Sequence, residues 1–133
     1  MKLLPLIIVI FVSQSLSQTS TPISASFADS ITVSVVEAIN RRELKLAEDL
    51  VNTQLSRYPN SLKWYFYRGI CSYADLMTNF SVNQEALKSM KADMERVQQL
   101  GEEVLRTRPE DHEALFYVGG AYGYLGLAEF ADG

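Results

Sequence analysis

Apolar positions in this chain recur every three or four residues far more than every two. The clearest stretch is Leu87, Met90, Met94, Val97, Gly101 and Val104, a single stripe of the kind a helix presents to its neighbours. Thr78-Asn79-Phe80 breaks the helix before it, and Ser81-x-x-Gln84 has the form of a capping box. The pattern predicts a helix over residues 82–106, roughly 37 Å long at 1.5 Å per residue and either continuous or split near Gly101. Only Ile31-Thr32-Val33-Ser34-Val35 alternates like a strand. It runs directly into Val36-Glu37-Ala38-Ile39 and a charged, helix-favouring segment, so it too reads as helix. No Asn-Gly hairpin dipeptide occurs, and after Pro22 the prolines are Pro59 and Pro109 alone. Long segments are therefore free of the main helix breaker, and the pattern predicts an all-α chain.

The two prolines stand in matching contexts. Leu55-Ser56-Arg57-Tyr58-Pro59 parallels Leu105-Arg106-Thr107-Arg108-Pro109, and ten residues beyond each proline lies a glycine, Gly69 and Gly119, among aromatic residues. Glycine inside a helix costs about 1 kcal/mol relative to alanine. Its repetition predicts that another backbone comes close at both positions, so that Gly119→Leu would overpack. An echo of this kind is the mark of an internal repeat.

The repeated residues resemble the tetratricopeptide repeat family. Ala114 to Gly126 carries the best match: Leu115, Val118, Gly119, Tyr122 and Gly126 fall at the family's offsets, with Ala131 beyond and Pro109 closing the unit before. The middle unit keeps Tyr65, Gly69 and Pro59, with Ser72 where an aromatic is usual. The first keeps Ile31, Leu44, Ala47, Val51 and Pro59, with Val35 in place of the glycine. The resemblance implies antiparallel helix pairs stacked into an α-solenoid over residues 27–133. The units would run from about 28 to 61, from 62 to 111 with an insertion of about 16 residues, and from 112 to 133 as a half unit. A half unit leaves Phe116, Tyr117, Tyr122, Leu125 and Leu127 partly uncovered, so the sequence is expected to be truncated or its missing helix to come from a partner. The resemblance also implies that Tyr65, Gly69, Leu115, Val118, Gly119, Tyr122, Gly126, Pro59 and Pro109 pack the repeats. Phe66, Ile70, Tyr73, Phe116 and Tyr124 would line a concave groove with Lys63 and Glu113 on its rim.

The N-terminus changes the picture of compartment. Lys2, an apolar run from Leu3 to Val12 and small residues at Ser15 and Ser17 form a secretory signal pattern with cleavage after Ser17. Gln18 to Ser26 reads as a flexible leader. The fold is expected to begin near Phe27, and the destination to be secreted or periplasmic. The net charge of −4 lacks the basic face a nucleic-acid binder requires. No apolar stretch after the N-terminus is long enough to span a membrane.

Candidate chemistry is sparse. His112 stands between Asp111 and Glu113 at a helix start, where neighbouring side chains diverge and cannot converge on a metal. Cys71 has no basic cluster beside it and reads as a small core residue. Gly119-Gly120-x-x-Gly123-x-x-Gly126 follows no strand, so it is not read as a phosphate loop. Asn79-Phe80-Ser81 is a glycosylation sequon. The mixed charges of residues 43–57 and 88–103 read as solvated helix faces. No cofactor or metal is expected, and no enzymatic activity. The expected role is a scaffold that binds a protein or peptide through the aromatic groove. The alternative is an assembly subunit of a periplasmic or outer-membrane-associated complex.

Overall fold

Helix boundaries in this protein follow from caps and from the two prolines. The computed structural model describes residues 29–78 and 83–132. They form five helices and, among the described residues, no strand: α1 Ser30–Asn40, α2 Leu44–Arg57, α3 Leu62–Thr78, α4 Gln84–Thr107 and α5 His112–Asp132. The signal pattern at 1–17, the leader at 18–26, Phe27, the sequon and Ser81 lie outside the described residues.

Asp29 opens α1 by accepting the Thr32 backbone N–H at 2.7 Å. The β-branched run that follows is helical because Thr32, Val35, Val36, Ala38 and Ile39 are buried, and burial outweighs the small propensity deficit of such residues. Arg42 ends the helix with φ 63°. Glu43 N–H donates to the Ala38 carbonyl (2.9 Å) and Arg42 N–H to the Ile39 carbonyl (3.1 Å), a Schellman closure built without glycine.

The two proline loops have the same geometry. A residue before proline is driven out of the helical region, and Tyr58 (φ −130°, ψ 72°) matches Arg108 (φ −134°, ψ 76°). Tyr58 N–H donates to the Gln54 carbonyl and Ser61 N–H to the Tyr58 carbonyl. Arg108 N–H donates to the Val104 carbonyl and Asp111 N–H to the Arg108 carbonyl. Both loops thus deliver the chain into α3 and α5 along the same path.

α4 begins two residues later than a Ser81 cap would place it. The cap is Asn83, whose Oδ1 accepts the N–H groups of Glu85 (3.1 Å) and Ala86 (3.3 Å). The helix then continues unbroken through Gly101. Leu87, Met90, Met94, Val97 and Gly101 are all buried along its inner face. α4 lies antiparallel to both neighbours. Arg68 of α3 meets Asp93, while Asn83 at the start of α4 reaches Asp75 near the end of α3. On the other side Lys91 bonds Asp132 (2.9 Å) and Glu102 bonds Tyr122 (2.8 Å). α3 and α5 run parallel beside it, Phe66 against Tyr117 and Tyr73 against Tyr124. The main hydrophobic core runs through all five helices.

Candidate functional site

The aromatic side chains of α3 and α5 form one interleaved layer. Phe66 touches Phe116, Tyr117 and Tyr124 at ring-centroid separations of 6.3, 5.2 and 5.9 Å, and Tyr73 meets Tyr124 edge-on at 5.0 Å. Tilted and edge-to-face pairs of this kind add about 0.5–1.5 kcal/mol beyond area burial. The approach depends on Gly120, where an added Cβ would stand 2.7 Å from Phe66 Cε2. The residues expected to line an open groove are brought together here, but they are closed off from solvent. Phe66 and Tyr124 are each 1% exposed, Ile70 and Tyr73 are buried, and Phe116 is half-buried. The physical reason is that α3 and α5 come close enough for each helix's rings to cover the other's.

The expected rim differs as well. Lys63 is buried, with its ammonium 4.7 Å from the Trp64 ring centroid and ion-paired to Asp29. Burial works against the Asp29 charge, but hydrogen bonds from Lys63 and Thr32 outweigh it and hold the carboxyl below its usual value. The pair ties the cap of α1 to the start of α3. Glu113 is half-buried at the start of α5.

Groups that could carry chemistry are placed as structural residues. Cys71 is buried, and burial pushes its thiol up to about 12, leaving no thiolate at neutral pH. Burial likewise raises Tyr67 to about 12, and the Tyr67 and Tyr117 hydroxyls face each other within the core. His112 is exposed at the first position of α5. Among the described residues no three His, Cys, Asp or Glu side chains gather as a metal-holding group. A surface depression of about 380 Å³ beside Lys88, Lys91 and Asp132 has its Lys91 and Asp132 charges paired with each other.

The glycines divide into two kinds. At Gly69 a Cβ would meet Met94 Cε at 2.6 Å, and at Gly101 it would meet Val118 Cγ2 at 2.1 Å. Both mark seams of α4. At Gly119, Gly123 and Gly126 nothing lies within 4 Å. The sequence reading has Leu115, Gly119, Tyr122 and Gly126 pack between helices; in the structure they lie on the outward face of α5. Leu115 is 47% exposed and Tyr122 56%. Val118, by contrast, is buried over Gly101. Tyr65 is half-buried on α3, with the guanidinium groups of Arg68 and Arg96 at 5.2 and 5.9 Å from its ring centroid.

This outward face is the most unusual surface of the molecule. No charged residue occurs from Ala114 to Ala128, so this middle stretch of α5 is uncharged on every side, the pattern of a helix covered all round. It is nevertheless not long and apolar enough to cross a membrane, nor is any other helix among the described residues. Phe130, 82% exposed, extends the face by one turn. It was not singled out by periodicity because the stripe of α5 is masked by apolar residues on its other sides. Asp93 was also misread as solvated. It is buried and holds Arg68 through Nε (3.0 Å) and Nη2 (2.7 Å), a clamp across the α3/α4 seam that long-range packing alone brings together.

No family model matches the chain, and neither a curated protein nor a solved structure is significantly similar to it.

Proposed function

We propose that this chain is an exported, non-catalytic scaffold of tetratricopeptide-like helix pairs that binds polypeptide. Support for the repeat comes from the equal loop geometry at Tyr58 and Arg108 and the 50-residue echo that follows it. The observation that carries the binding role is the outward face of α5. It exposes Leu115, Tyr122 and Phe130 together, with no charged residue on α5 from Ala114 to Ala128 and with Glu102 and Glu129 at its edge. Large apolar side chains gathered in one patch mark interaction surfaces, and aromatic anchors dominate the energetics of such surfaces. The binding surface proposed is therefore this helix face, with the α3/α5 aromatics as its rigid support. Export rests on the basic start, apolar run and small residues of the first 17 positions.

Selection of peptides from a displayed random library against the full chain tests the reading. The expected winners are helix-forming peptides with an apolar stripe, and their binding should fall at least tenfold on Leu115→Glu. Recovery of no binders, or of binders indifferent to that change, would defeat it. An assembly-subunit role is favoured by the same face, since permanent partners bury apolar helices.

A further inference from the structure

We draw no further inference here: the strongest candidate, the outward face of α5 around Leu115, Tyr122 and Phe130, belongs to the binding surface already described, and nothing in the structure shows what covers it.

Discussion

Gly69 and Gly119 lie at equivalent points of two helices, each ten residues past a proline and each entered through the same loop, yet they meet opposite surroundings. Over Gly69 the neighbouring helix has closed. Met94 Cε occupies the space a Cβ would need, and Asp93 beside it clamps Arg68. Over Gly119 there is nothing within 4 Å, and the residues around it, Leu115, Tyr122 and Phe130, stand in solvent. Beside Gly69 stand Arg68 and Ser72, and around Gly119 the exposed Leu115 and Tyr122, so the closed face is the more polar of the two.

The contrast can be broken most forcefully at the aromatic layer. Phe66→Ala should cost about 3–5 kcal/mol, because its ring fills the space between α3 and α5 and leaves a cavity when removed. The equally apolar Leu115→Ala on the open face should cost less than about 0.5 kcal/mol. Thermal or denaturant unfolding of the two variants side by side checks the difference. A loss of similar size at both positions would show that α5 is covered on both sides.

At Gly101 the expected loss is about 2–3 kcal/mol for alanine, since Val118 is β-branched and buried and cannot swing away from a Cβ 2.1 Å from its methyl. Gly69→Ala should cost less, because the atom in the way is the flexible end of Met94. Asp93→Ala should cost about 2 kcal/mol, read as a lowered denaturant midpoint. The change leaves the Arg68 guanidinium, itself 36% exposed, without its carboxylate. Gly119→Ala should move the other way. With open space around it, alanine should stabilise the fold by up to about 1 kcal/mol through helix propensity. A destabilised fold would mean that the two faces are alike after all.

The smallest expected effect concerns the Asp29–Lys63 pair. The Asp29 carboxyl is held below its usual value in the fold. Its contribution is therefore present above the unfolded-state pKa of about 3.9 and is lost as pH falls through the lower folded value. Asp29→Asn should flatten the acid limb of the stability curve below about pH 4 and leave its slope near pH 7 unchanged. An unchanged acid limb would show that the pair does not couple the α1 cap to α3.

Much of the helical frame was legible in the sequence. The stripe Leu87, Met90, Met94, Val97 and Gly101 gave α4 its buried face, and the prolines marked the loops before α3 and α5, because 3.6-residue periodicity and the steric demands of proline are local properties. The helix cap at Asn83 was missed because Ser81 and Asn83, two positions apart, are both good capping residues, and local sequence does not rank them. The aromatic residues were recognised as important but given an open groove. Whether Phe66 faces solvent depends on how near α5 approaches, and that distance is set by Gly120, whose role is invisible until the ring beside it is known.

The sequence by itself determined that this chain is helical and that its two halves repeat a proline-to-glycine spacing. It could not assign the glycines. One glycine in a helix reads the same whether a neighbour presses on it or nothing does, because the difference lies in atoms supplied from tens of residues away. Tertiary packing alone made Gly69, Gly101 and Gly120 points of contact and left Gly119, Gly123 and Gly126 open, and in doing so moved the candidate binding surface from the inner aromatic layer to the outer face of α5.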